Sequence, residues 1–237
     1  MIILAFDSTA KAASVAITDD CKLLALYNVD NGLTQSELLL PMAESMLNSL
    51  HLTIDDVELL ACAVGPGSFT GVRIGAALVK GLAFGKNIPC ASVSTLDELA
   101  ENMVGIAGIV APVMDARRGQ VYTAIYRSYG DHIEKLTDDM AIPITELGEM
   151  LGKYNGEPIY LTGDGYNTAR GVLTDMGIAI QSTPPLNISE SAYSVARVAK
   201  RLYDEGKAVS DREISPTYLR MPQAERERLE RLAAQEK

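Results

Sequence analysis

The sequence predicts an α/β protein of two subdomains, each a copy of one βββαβαβα pattern. Three observations predict it. Three strand-like segments joined by short turns open the chain, and a similar trio recurs from residue 108. Each trio is followed by helix, strand, helix, strand and helix in the same order. An aspartate closes the first strand of both trios, Asp7 in "IILAFD" and Asp115 in "GIVAPVMD".

The elements follow in chain order. Residues 2–7 read as a buried strand, and "AASVAIT" (12–18) and "LLALYNV" (23–29) complete an antiparallel meander. Thr34, with Glu37 three residues on, forms a capping box that starts a helix running to about Leu50. "VELLACAV" (57–64) is a strand. The glycine-rich stretch "AVGPGSFTGVRIG" leads into a helix from about Gly71 to Gly85, then strand "CASV" (90–93) and a helix capped by Ser94 or Thr95. The second copy has strands at 108–115, 120–128 and 133–142, a helix at 145–153, strand "PIYLTG" (158–163), a helix at 166–176, a short strand "IAI" (178–180) and a helix from Ser189 to Glu205. The expected division is 1–106, 107–188, and a C-terminal helix and tail at 189–237 that return to the first subdomain. The stretch 223–237, "QAERERLERLAAQEK", reads as a solvated charged helix.

Composition narrows the function classes. Of 237 residues, 47% are hydrophobic, which suits a buried core. The formal net charge of -10 makes the chain a poor binder of a nucleic-acid backbone by itself. Cys21, Cys62 and Cys90 form no C-x-x-C pair, so neither a zinc knuckle nor a redox motif is expected. The N-terminus has no basic leader, and no run of ~20 apolar residues appears, so a cytoplasmic protein without a membrane span is expected. The two histidines, His51 and His132, stand far apart in polar surroundings. With no H-E-x-x-H and no clustered ligands, no metal site is expected.

The glycine stretch raises a choice between phosphate cradle and close helix packing. No lysine follows Gly71 as a Walker A loop requires, and three residues separate Gly67 from Gly71, which breaks G-x-G-x-x-G. Ser68 or Thr70 can cap the helix and leave N–H groups for an anion. Asp7, Ser8, Gly67, Ser68, Thr70 and Arg117 are therefore candidate nucleotide or anion contacts, although "DSTAKAAS" lacks a glycine beside Asp7. Asp7 capping its own turn is the competing reading. In the helix, Ala77, Gly81 and Gly85 recur at spacing four, a face that admits another backbone. In the first long helix the apolar arc covers about 200°, about twice what one core face needs. Together they predict a partner surface of Gln35, Ser36, Leu39, Leu40, Ala43, Leu47, Ile74, Ala77, Leu78, Gly81 and Gly85.

The paired trios with an aspartate at each first turn resemble the actin-like ATPase (ASKHA) fold of sugar kinases and Hsp70. "LAFDST", "AVGPGSFTGVRIG", "STLDELA", "MDARRGQVY", "TGDG" and "PTYLR" resemble the TsaB (YeaZ) family more closely, over nearly the whole chain. The resemblance implies a non-catalytic partner and activator of TsaD, the enzyme that places threonylcarbamoyl on the tRNA adenosine beside the anticodon. It implies TsaE, an ATPase, as a third member, tRNA contact only through the complex, a homodimer when alone, and ATP or ADP only at the complex interface. Catalysis in TsaD uses a metal held by H-x-x-x-H on the first long helix. Here that helix offers Gln35 and Leu39 at such spacing, and Gln35 stands where the family often has histidine. Two rival readings are an ATP-dependent phosphotransferase of the same fold, which needs open phosphate turns, and a peptidase acting on its partner, which needs a nucleophile–base pair.

Overall fold

The computed structural model describes residues 1–220; the charged stretch 223–237 lies outside the described residues. Five strands, β1 (Ile2–Asp7), β2 (Ala13–Asp19), β3 (Lys22–Val29), β4 (Leu59–Ala63) and β5 (Cys90–Val93), form the first sheet in the order β3-β2-β1-β4-β5. The meander β1-β2-β3 is antiparallel, and β4 and β5 add in parallel. Parallel addition requires crossovers, supplied by α1 (Gln35–Ser49) and α2 (Phe69–Ala83). Both lie on one face, where Leu39, Met46 and Val79 pack on Leu4, Phe6 and Leu60.

The second sheet repeats this plan with interruptions. It contains β6 (Gly108–Asp115), β7 (Gln120–Thr123), β8 (Tyr126–Ser128), β9 (Ile133–Lys135), β10 (Met140–Pro143) and β11 (Ile159–Thr162). β7 and β8 keep one register along β6, Asp115 opposite Val121 and Gly108 opposite Ser128. They are one strand broken at Ala124 and Ile125. Its neighbour is likewise split into β9 and β10, with Leu136–Asp139 bulging between them. The bulge is held by local bonds: Leu136 N–H donates to the Ile125 carbonyl (2.8 Å), and Ile125 N–H donates to the Thr137 hydroxyl (2.9 Å). A side-chain oxygen thus replaces a ladder carbonyl, so the continuous strands expected at 120–128 and 133–142 are each divided. β11 pairs parallel with β6, and Ile180 forms a single parallel bridge to Ile159 where the first sheet has β5. Both sheets therefore have the duplicated order of the actin-like fold.

The helices α3 (Thr95–Glu101), α4 (Ile144–Leu151), α5 (Tyr166–Asp175) and α6 (Ala192–Asp204) complete the layers. α4 and α5 cover one face of the second sheet through Leu147, Leu151 and Leu173. The other two helices cross over. α3 follows the first sheet yet packs Leu96 and Leu99, with Met103 just beyond its end, on Val110, Met114 and Tyr126 of the second. α6 follows the second sheet yet packs Val195, Ala196 and Ala199 on Ala5, Ala61 and Ala91 of the first. Small residues on both sides let α6 lie close.

Helix ends agree with the sequence in one case and differ in another. Thr34 and Glu37 form the capping box of α1, with Thr34 N–H donating to Glu37 Oε2 at 2.9 Å. α2 begins at Phe69, capped by Ser68, and ends at Ala83. Gly85 lies beyond the helix with φ +73°, so its role is to turn the chain.

Candidate functional site

The turn after β1 is closed from within. Asp7 accepts from Thr9 N–H (3.1 Å) and from the Thr9 hydroxyl (2.9 Å), capping its own turn. The glycine stretch lies directly on that turn. Ser68 N–H donates to the Thr9 carbonyl (2.6 Å), and the Ser8 hydroxyl donates to the Gly71 carbonyl (2.9 Å). A Cβ on Gly67 would stand 2.5 Å from the Thr9 carbonyl oxygen, and one on Gly71 would stand 1.8 Å from that of Ser8. These glycines serve a close approach within the chain. Asp7 and Ser8 are buried, while Ser68 and Thr70 are exposed on the outer side of the loop, and Arg117 belongs to the other lobe.

Behind the turn lies a cluster of carboxylates. Asp7, Glu98 of α3 and Glu190 before α6 are 1%, 0% and 3% exposed. They meet because α3 and α6 cross at the end of β1. Glu98 Oε1 accepts from Ser191 N–H (2.7 Å). Glu98 Oε2 and Glu190 Oε1 have no donor. Burial raises all three carboxyls: Asp7 to about 6, Glu190 to about 8, and Glu98 well above its ordinary value, with the charge of Asp7 adding to the rise at Glu98 and Glu190. Such a pocket repels phosphate. Glu98 and Glu190 were not legible as site residues, because "STLDELA" and "NISESA" read as ordinary helix starts.

The equivalent turn of the second lobe is open. Asp115 accepts from Arg117 N–H (2.7 Å), the same local bond that Asp7 makes, and its own N–H donates to Asp164 (2.9 Å). Arg117, Arg118 and Gly119 are all left-handed, with φ +65°, +56° and +72°.

The predicted partner surface divides. Leu39 is buried in the core, which corrects its assignment to an outer face, whereas Ala43, though 2% exposed, lines the floor of a groove beside Leu40. Leu40 is 42% exposed, Ser36 is exposed, and Gln35, Leu47, Ile74 and Leu78 are half-buried. Gln35 donates to the carbonyls of Ala10 and Lys11 (2.8 and 3.3 Å), holding the turn before β2. Ala77 and Gly81 are exposed, and a Cβ on Gly81 would meet nothing within 4 Å. Beside them runs a groove of about 470 Å³ lined by Leu40, Leu47, Leu52, Ile54 and Leu82. His51 and His132 are exposed, and the Cys62 thiol is buried and pushed up by desolvation.

Comparison with known proteins decides the family. The model of the family described as "TsaD: tRNA N6-adenosine threonylcarbamoyltransferase" matches residues 34–225. The tRNA threonylcarbamoyladenosine biosynthesis protein TsaB of Bacillus subtilis is 32% identical over 95% of this chain and 96% of its own length. This chain belongs to the TsaB (YeaZ) family. The TsaB protein of Escherichia coli is 31% identical, covering 93% of this chain and 95% of its own. The structure of YeaZ from Pseudomonas aeruginosa superposes with a TM-score of 0.75 at 25% identity, over 92% of this chain and 99% of that one. Among the described residues, no helix is long and apolar enough to cross a membrane.

Proposed function

We propose that this chain is the non-catalytic partner and activator of TsaD in forming the threonylcarbamoyl group on the adenosine beside the anticodon of tRNA. The observation that carries the reading is the open face of α1 and α2. Leu40 and the adjoining groove, whose leucines are rimmed by Glu44, Asn48 and Thr53, stand beside a small-residue face at Ala77 and Gly81 with no covering element among the described residues. An equivalent helix pair from a protein of the same fold suits that face, and TsaD is such a relative. The full-length likeness to proteins named for tRNA threonylcarbamoyladenosine biosynthesis supports the pathway.

The remaining site supports an accessory role. Gln35 and Leu39, at the spacing of a metal-binding pair, are engaged in a turn and in the core. A phosphotransferase needs an open first phosphate turn, whereas Asp7 and Ser8 are covered and lie among carboxylates. For a peptidase, Ser8 donates to a carbonyl, the histidines stand at the surface, and Cys62 is held as a thiol. In this reading the protein is cytoplasmic, TsaE joins the assembly, and ATP or ADP binds only where another subunit completes the site. A homodimer uses the same helix face and competes with TsaD.

Two substitutions test the surface. Leu40→Glu is expected to fold normally, because the side chain is already exposed, and to weaken TsaD binding by roughly 100-fold through a buried, unpaired carboxylate. Reconstituted tRNA modification should fall with it. Gly81→Leu has room to fold and is expected to block close helix approach. Thermal melts and binding isotherms measured side by side check both. Normal TsaD binding by both variants defeats the proposed surface.

A further inference from the structure

An arginine-rich row crosses from one lobe to the other. Arg73, on α2, stacks its guanidinium 3.7 Å from the centroid of Phe69 and donates from Nε to the Tyr218 hydroxyl (2.9 Å). The rings of Phe69 and Tyr218 are themselves stacked, 4.9 Å apart. Two residues further on, Arg220 hydrogen-bonds the Gln120 side chain and lies 5.9 Å from the ring centroid of Tyr122. Gln120 directly follows Arg117, Arg118 and Gly119, and its N–H donates to the Arg117 carbonyl (3.2 Å). Thr217 N–H donates to the Val64 carbonyl (2.8 Å), so residues 217–220 tie the first lobe to the second.

Three features describe the row. Arg73, Arg117, Arg118 and Arg220, like Arg170 and Arg212, have no carboxylate partner among the described residues, whereas Arg127, Arg197 and Arg201 are ion-paired. The nearby Asp115 already accepts from Arg117 N–H. Arg117 and Arg118 occupy a left-handed backbone that L side chains disfavour, and such strain concentrates at working sites. Arg73 also lies on the same helix face as Ala77 and Gly81, so the row continues from the partner surface.

We propose that this row is an RNA-backbone contact contributed by the chain when it is docked on TsaD, an inference that rests on the function proposed above. Guanidinium groups pair with phosphate in a planar fork, and the stacked rings of Phe69 and Tyr218 hold Arg73 in place. The groups are strung out: Tyr218 to Arg220 alone spans up to about 7 Å. A line of cations suits a strand of phosphates better than one small anion. The chain's charge of -10 explains why the row needs a second protein to hold the RNA.

The test is tRNA binding by the reconstituted complex with TsaD between 50 and about 200 mM salt. Variants are Arg117→Ala/Arg118→Ala, Arg220→Ala, and Arg170→Ala on α5 as a control. The double variant is expected to lower the salt slope by about 1–2 and the low-salt affinity by roughly 5- to 20-fold. Arg220→Ala should lower the slope by about 1, and Arg170→Ala should change neither. TsaD binding, measured separately by gel filtration, should stay intact in all three. Unchanged tRNA affinity and slope in both row variants overturns the proposal. So does a selective loss of TsaD binding, which makes the row a protein contact. ATP displacing tRNA with the same arginine dependence reassigns the row to a nucleotide and also overturns it. If the unaltered chain fails to bind TsaD, the function proposed above fails. Because the row acts only in that complex, the row proposal then falls with it, whereas intact TsaD binding with unchanged tRNA binding overturns the row alone.

Discussion

Gly71→Ala is expected to cost roughly 3 kcal/mol of folding stability, a large fraction of what a domain of this size possesses. The new Cβ would stand 1.8 Å from the Ser8 carbonyl oxygen and 3.0 Å from the carbonyl carbon. Both obstacles are backbone, so no rotamer change relieves them. α2 must retreat from the turn after β1 by about 1 Å or more. That movement breaks the bond from the Ser8 hydroxyl to the Gly71 carbonyl and loosens Val72, Ala76 and Val79 against the sheet. Gly81→Ala, ten residues along the same helix, carries the opposite sign. Its Cβ meets nothing within 4 Å, and replacing glycine within a helix gains about 1 kcal/mol. Urea midpoints of the two variants, measured against the parent, check both effects. A Gly71→Ala protein as stable as the parent shows that the turn and helix do not approach this closely.

This contrast shows what the sequence could and could not convey. Spacing alone placed Ala77, Gly81 and Gly85 on one face, and two of the three are on it. Nothing in the spacing told an open glycine from one pressed against a carbonyl, because the difference lies in residue 8. The capping box at Thr34 and Glu37 was legible because both partners lie within one turn of helix. So was the duplication, because Asp7 and Asp115 close equivalent strands with equivalent local bonds. The break at Ala124 and Ile125 was not, since it depends on the Thr137 hydroxyl in a neighbouring strand. Leu39 and Ala43 belonged to an apolar arc whose two sides the sequence could not assign. α2 and the sheet take one side, and Leu40 is left outside. The carboxylate cluster was least legible of all. Asp7, Glu98 and Glu190 are remote in sequence and meet only because α3 and α6 exchange lobes.

That cluster is expected to make the protein lose stability as pH rises from about 5 to about 9. Burial holds Asp7 near 6, Glu190 near 8, and Glu98 well above the usual carboxylate range. The folded state therefore binds more protons than the unfolded chain across this interval, and unfolding becomes easier as the pH increases. The stabilising contribution is complete below the unfolded carboxyl values near 4 and is gone once the folded groups ionise. The groups facing the cluster reinforce this sign. Asp164 adds negative charge from the loop after β11, and its nearby cation is Lys11. Arg197 and Arg201 are taken by Glu101, one turn along α3. Carboxylates with lowered values, such as Asp19, Glu37 and Glu157, act only at lower pH. Glu190→Gln removes the ionisation while keeping size, and the Asn28 bond to the residue 190 carbonyl survives because it is made to backbone. The variant is expected to lie close to the parent near pH 5 and exceed it by about 4 kcal/mol near pH 9. Glu98→Gln should behave similarly, since the amide oxygen can still accept from Ser191 N–H. Urea unfolding at pH 5, 6, 7, 8 and 9 reads all three proteins. Parallel curves for parent and variants rule out buried, protonated carboxyls at the crossing of α3 and α6.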